Sequence, residues 1–328
     1  MAATSTEPLE RLEAALSERG TPPSKRMLMI VNPRATTVSD RSKNLVVYAL
    51  RGSYQVDAVE TQARHHATEL SREAAREGYD VVVAFGGDGT VNEAANGLAG
   101  STTPLTCLPG GRTNVYCRLL GIPTDVVDAT EHLLLLAYDW HPRRVDLGHV
   151  GDRRFLFSAG IGLDASVVER VDAHPRLKAR VGEWYYTWTG IDTFNRRYLF
   201  NPPRLSAEFG EDLIAGVTVI VQNAGPYTFF GDRAVQMAEG AALDSGDLAG
   251  AVLRRASPID IPSVVWRALS QRARVADHHR VRAFSGLTSL RVRSLDGRPL
   301  PVQVDGDYIG EFDDAAFGVT PAGLVVIA

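Results

Sequence analysis

The stretch that most restricts what this chain can fold into is residues 80–93, DVVVAFGGDGTVNE. The run Val81, Val82, Val83 reads as a strand buried on both faces, which is the pattern of a parallel sheet covered by helices. It ends on Gly86, Gly87, Asp88, Gly89 and Thr90. The glycines let the backbone turn sharply at the strand's carboxyl end and come close to a phosphate. The helix expected over 90–98 points its positive end at the same place. Asp88, between two glycines, is placed to hold Mg2+ or to take a proton from an attacking hydroxyl. A simple capped turn needs one aspartate and not three glycines around it, so a nucleoside triphosphate is the ligand this turn implies.

From Met27 onward, short apolar strands (27–32, 54–60, 80–85 and 104–108) alternate with amphipathic helices (41–51, 65–77, 90–98, 114–120 and 124–138). That rhythm means βαβ units and a parallel sheet, with ligands at the carboxyl ends of the strands. After His141 and Pro142 the texture changes. Strand patterns at 145–150, 153–159, 204–209, 213–222, 248–253, 290–295 and 301–304 follow one another, with helical segments at 167–171, 178–198 and 261–269. The expected fold class is α/β, a Rossmann-type nucleotide domain joined to a mainly antiparallel β-rich second domain. The division expected is an N-terminal helix or tail over 1–25, the nucleotide domain over 26–143, and the β-rich domain over 144–310. A last strand at 323–327 brings about 311–328 back to the first domain.

Composition excludes several classes. A net charge of −4 gives no broad positive field for nucleic acid, although Arg176, Lys178 and Arg180 form one basic cluster and Arg267, Arg272, Arg274 and Arg280 another. Two cysteines, Cys107 and Cys117, make no disulfide framework. Apolar runs such as 133–137 fall far short of the roughly 20 residues of a membrane span, so the expected location is cytoplasmic with peripheral membrane contact. Trp184, Tyr185, Tyr186 and Trp188 form the densest aromatic cluster, read as core, with an acyl-chain cleft or bilayer contact as the second reading. His65 with His66, and His278 with His279, are adjacent pairs that point apart on a helix and read as surface residues. No GxSxG elbow and no Walker A lysine motif appear.

A second glycine turn follows in CLPGGRTNVYCRLLGIP, residues 107–123, where Gly110 and Gly111 end a strand and Asn114 opens a helix. The two turns are expected to form two walls of one cleft. Asn32 and Pro33 end the first strand and Thr61 the second. Together with IVNP at 30–33, GGDGTVNEAANGLAG at 86–100 and PGGRTN at 109–114, the motifs VDLGHV at 145–150, AGIGLDASVV at 159–168 and VDGDYIG at 304–310 resemble the diacylglycerol kinase catalytic family. That family includes bacterial lipid kinases and is related to the sphingosine and ceramide kinases.

The resemblance implies a phosphofructokinase-like nucleotide domain and an ATP- and Mg2+-dependent lipid kinase of phospholipid biosynthesis. By position it carries ATP contacts to Asn32, Pro33, Thr61, Gly86, Gly87, Gly89, Thr90, Glu93, Arg112, Thr113 and Asn114. Catalytic roles fall on Asp88, Asp146 and Asp307, with Asp307 where many members have a glutamate base, and metal binding falls on Asp88 and Asp247. Substituting Asp88 with alanine is expected to abolish turnover in a chain that stays folded. The chain departs from the family's pattern at Arg112, commonly Thr, at Val115, often Asp, and at Ser245, where an acidic residue of a structural Mg2+ site usually stands. The partners expected are ATP and a lipid at a membrane surface, most simply diacylglycerol; nucleic acid is not expected, and a homodimer is left open. Two other readings are an NAD kinase-like enzyme, since GGDGT occurs there too, and a catalytically silent nucleotide- or lipid-binding regulator.

Overall fold

The computed structural model describes residues 25–172, 204–270 and 272–328. The expected N-terminal helix, the helix at 178–198, the tryptophan–tyrosine cluster and the first basic cluster lie outside these residues.

Four strands are parallel: β1 (Lys25–Val31), β2 (Tyr54–Glu60), β3 (Val81–Gly86) and β4 (Leu105–Pro109), in the order β2-β1-β3-β4. Register is set by apolar runs with little polar interruption; Met27 faces Val81 and Val31 faces Phe85. β3 and β4 are buried throughout. The helices between them are α1 (Asp40–Leu50), α2 (His66–Arg76), α3 (Asp88–Leu98), α4 (Val115–Leu120) and α5 (Val126–Leu136). Strand order reverses after β2. Right-handed crossovers then place α1 on one face and α2 with α3 on the other, and the helices pair accordingly, α1 with α5 and α2 with α3. The reversal opens a crevice between the carboxyl ends of β1 and β3, where such sheets bind ligands.

The remaining strands are β5 (Arg143–Val150), β6 (Arg153–Phe155), β7 (Ser158–Gly162), β8 (Leu205–Phe209), β9 (Asp212–Gly216), β10 (Thr218–Gln222), β11 (Thr228–Phe230), β12 (Arg233–Val235), β13 (Leu248–Leu253), β14 (Val281–Leu287), β15 (Ser289–Ser294), β16 (Leu300–Val304), β17 (Asp307–Phe312) and β18 (Asp314–Val326). The helices of this half are α6 (Leu163–Asp172) and α7 (Asp260–Leu269). β18 extends the parallel sheet through β15 and β8 to β9, and also pairs with β5. A second, all-antiparallel sheet runs β14-β13-β10-β7-β16-β17. Its inner face packs on the extension of the first through Ile161, Val219, Val252 and Val302 against Leu205, Val292 and Phe317.

Three expected strands come out differently. The last is β18, thirteen residues long, which touches β4 only through Val326 opposite Leu105 and spends its length on β15 and β5. The expected strand 213–222 is cut at Gly216 and Val217 and its halves enter different sheets. The expected strand 153–159 is likewise cut at Leu156 and Phe157, because the amides of 156, 157 and 158 turn to one carboxylate, that of Asp305.

Candidate active site

The GGDGT turn sits at the crevice. The Asn32 amide donates to the Phe85 carbonyl at 2.9 Å, tying the β1 end to β3. The Asn32 side chain donates to Thr90 Oγ1 at 3.0 Å, and its own Oδ1 accepts the Arg34 amide at 3.0 Å. Pro33 lies exposed in the following turn, and Thr61 is held by its amide to the Val31 carbonyl.

The two glycine turns do not face each other across a cleft. They touch: Gly110 N–H donates to the Gly86 carbonyl at 2.9 Å, and a Cβ on Gly110 would stand 2.7 Å from Gly86 Cα, one on Gly111 2.9 Å from Gly87 Cα. Only bare backbone allows that approach. Asn114, buried and left-handed, braces its own loop by accepting from and donating to Gly111. Arg112 beside it is exposed and Thr113 partly buried.

Asp88 opens α3, and its carboxylate accepts the amides of Val115 and Tyr116 at 3.0 and 2.9 Å. It therefore caps α4, whose own N-cap, Asn114, makes no side-chain cap. Charge-assisted bonds of this kind contribute about 1.5–3 kcal/mol each, so Asp88→Ala removes a structural contribution to the fold whatever else it removes. Burial raises the Asp88 carboxyl above its ordinary range, against the pull of the Tyr116 and Val115 amides, and the charge of Asp307 adds to the rise.

Asp307 arrives from the β16–β17 hairpin of the second sheet. A Cβ on Gly89 would meet its Oδ2 at 3.0 Å, so the second carboxylate stands directly over the glycine after Asp88. Arg64, from the loop after β2, donates to the Tyr308 carbonyl at 3.3 Å and closes that side. The hairpin is anchored by Asp305, to which the motif at 304–310 had assigned no role. Its carboxylate accepts Leu156 N and Asn92 Nδ2 at 2.7 Å each, and Phe157 N and Ser158 N at 3.0 Å each. Burial outweighs these four donors and pushes the Asp305 carboxyl up to about 6. Asp164 of the GIGLDA motif was also missed. Partly buried, its carboxyl raised by desolvation, it accepts Tyr227 Oη at 2.5 Å and Gln303 Nε2 at 2.7 Å, and Gln303 Oε1 accepts the Gly306 amide at 2.9 Å. The signal for both was a polar residue inside a strand-turn motif, a place where a carboxylate persists only if donors surround it.

Other expected residues lie elsewhere. Glu93 accepts the His65 and Ala67 amides at 2.9 and 3.3 Å and caps α2. Buried Asp146 accepts the Gly246 amide at 2.6 Å and the Ala322 amide at 2.8 Å, fixing the junction of β5, β18 and the 243–246 loop. Asp247 accepts the Ser245 hydroxyl at 2.8 Å. Among the described residues the one group of three metal-competent side chains is Asp260, His278 and His279. The two histidines are not on a helix, and His278 is buried, with ring centroids 4.6 Å apart. His278 Nδ1 accepts the Arg280 amide, which leaves the proton of the neutral ring on Nε2, and Arg280 Nε stands 3.8 Å from Asp260. These groups form an ion-paired corner and not a metal centre.

A switch-point glycine turn on a parallel sheet, met by a carboxylate from the antiparallel second sheet, defines a two-part α/β protein. Residues 26–150 match the diacylglycerol kinase catalytic domain. The chain is 26% identical over 293 residues to a diacylglycerol kinase of Staphylococcus aureus, covering 88% of this chain and 87% of that protein. With a diacylglycerol kinase of Bacillus subtilis it shares 25% over 298 residues, covering 87% and 91%. A solved structure from Bacillus anthracis str. Sterne, described as a diacylglycerol kinase, superposes with a TM-score of 0.67 at 19% identity, covering 92% of this chain and 96% of that one; the likeness bears on the fold. No helix among the described residues is long and apolar enough to cross a membrane.

Proposed function

We propose that this protein transfers the γ-phosphate of ATP to a lipid hydroxyl, with diacylglycerol as the acceptor and phosphatidic acid as the product. The observation that carries the reading is the meeting at Gly89 of Asp88, from the start of α3, and Asp307, from the second sheet. In this reading the nucleotide domain is 26–143 with about 311–328, and the acceptor reaches the turn from the 144–310 side.

The triphosphate lies on the Gly86–Thr90 turn, where the N-terminal amides of α3 and the Asn32–Thr90 pair meet it. Asp307 accepts the proton of the acceptor hydroxyl as its oxygen bonds to the γ-phosphorus, and the bond to the β-γ bridging oxygen breaks to release ADP. Asp88 holds α4 and its loop against the turn. A pair of carboxylates close enough for the charge of Asp307 to raise the proton affinity of Asp88 suits a hard divalent cation; a Mg2+ ion held by Asp88 would neutralise phosphate charge there. Asp146 acts by fixing the sheet junction, and Glu93 by holding α2.

The test is transfer of label from γ-labelled ATP to diacylglycerol, monoacylglycerol, ceramide, sphingosine and NAD. Labelled phosphatidic acid from wild type, reduced at least a hundredfold in Asp307→Asn with ATP binding retained, is the expected result. Label in NAD, or ATP binding without transfer to any acceptor, would replace it with the kinase-like or the regulatory reading.

A further inference from the structure

We propose that the outward face of α7 and the arginines around it form the surface on which this protein lies against an anionic lipid bilayer. The inference rests on the lipid-kinase reading and adds where the enzyme meets its substrate's phase. α7 buries Val264 and Ala268 against Val217, Leu253 and Val275. A surface helix normally turns polar residues outward, yet here Ile259 is 85% exposed at its start, Trp266 61% and Val265 50%. Apolar on both sides, the helix is covered on one only.

Charge decides what covers the other. Residues 254–282 hold seven arginines and two aspartates in a chain whose net charge is −4. Asp260 and Asp277 are engaged by Arg280 and Arg274. Trp266, Arg233, Arg272 and Arg274, the last paired with Glu239, line a cavity of about 730 Å3 together with Met237 and Leu269. Among the described residues, no carboxylate pairs with Arg233, Arg254, Arg255 or Arg272. A second copy bound through this face by two-fold symmetry would set arginine against arginine. Nucleic acid would answer the charge and leave the apolar residues uncovered. Anionic headgroups over an acyl boundary answer both, with Trp266 at the depth that tryptophan favours.

The experiment is co-sedimentation of the full chain with vesicles of phosphatidylcholine alone and with added phosphatidylglycerol. Wild type should bind the anionic vesicles and lose binding as salt rises. Arg233→Ser with Arg272→Ser should weaken binding about thirtyfold, at roughly fivefold per arginine. The corresponding lysine pair should restore it, and Trp266→Ser should weaken it about tenfold. Label transfer to a short-chain, water-dispersed diacylglycerol should stay within twofold in all of them. Anionic-vesicle binding that is absent in wild type or unchanged in these variants overturns the proposal. So does a wild-type dimer that Trp266→Ser makes monomeric, or a Trp266 that a soluble quencher cannot reach in the lipid-free chain. Vesicle binding is read without turnover, so a wild type that binds but transfers no phosphate counts against the kinase reading alone.

Discussion

Gly89→Ala separates stability from chemistry at one atom. Gly89 lies in the first turn of α3, where alanine gains up to about 1 kcal/mol of helix propensity over glycine. The new methyl would stand 3.0 Å from Asp307 Oδ2 and 3.4 Å from Oδ1, and ordinary contact begins near 3.4 Å. The Asp307 carboxylate must therefore retreat by a few tenths of an ångström. Reacting groups need to be held to within about 0.5 Å, and a misplacement of about 1 Å costs on the order of a hundredfold. The expected result is a kcat lowered roughly three- to tenfold with a Tm at or slightly above wild type. If the effect runs through Asp307, adding Gly89→Ala to Asp307→Asn lowers kcat little further, since the two act on one group. A wild-type kcat, or losses that simply multiply in the double variant, would refute the argument.

Asp305→Asn keeps the acceptor for Phe157 and Ser158 but sets an amide NH2 against Leu156 N–H and Asn92 Nδ2, so urea unfolding at pH 7 should show a loss of about 2–4 kcal/mol. The wild-type Asp305 pKa is raised, so the folded chain binds the extra proton and gains stability as pH falls below about 6, a gain complete near the unfolded value of about 4. The variant lacks that gain, and its deficit should widen by roughly 1 kcal/mol between pH 7 and 5; a deficit that narrows would show that the four donors outweigh burial. Glu93→Ala should cost about 1–2 kcal/mol through the lost cap of α2 and leave the KM for ATP within about threefold. A much larger rise in KM would place Glu93 on the nucleotide.

Much of the first half was legible because its strands are buried on both faces and its helices run between glycine and proline punctuation. β2 and β13 appear at the expected residues, and β1, β3 and β4 within two. Legibility failed where long-range groups override local pattern. No periodicity in 153–159 reveals that Asp305 takes three of its amides, and none in 213–222 that the chain changes sheets at Gly216. The tips of β1 and β3 and the GGDGT turn could be placed from sequence; the contact of Gly110 with Gly86 could not, because glycine announces freedom to approach without naming the neighbour. Glu93 and Asp146 show that to read a carboxylate in a ligand motif as serving a ligand alone is an error, since it can also hold backbone amides.

α3 makes that error instructive. Asp88 caps α4, Glu93 caps α2, Asn92 meets Asp305, and Asn96 donates to the Arg154 carbonyl and accepts the Arg154 amide on β6. Asp88, Asn92, Glu93 and Asn96 thus tie this one helix to α4, to the Asp305 hairpin, to α2 and to β6. A regulator that had lost phosphotransfer would keep all of them, because losing any one loosens the joint between the sheets. The motif alone therefore reports architecture more than activity. Asp307 stands apart: Asp305 already anchors its hairpin through four hydrogen bonds, and the bare Cα of Gly89 leaves room for the Asp307 carboxylate. At Gly89 alanine would make the better helix, yet the bare Cα leaves room for a carboxylate, which is the trade expected if Asp307 stands at the phosphate as proposed.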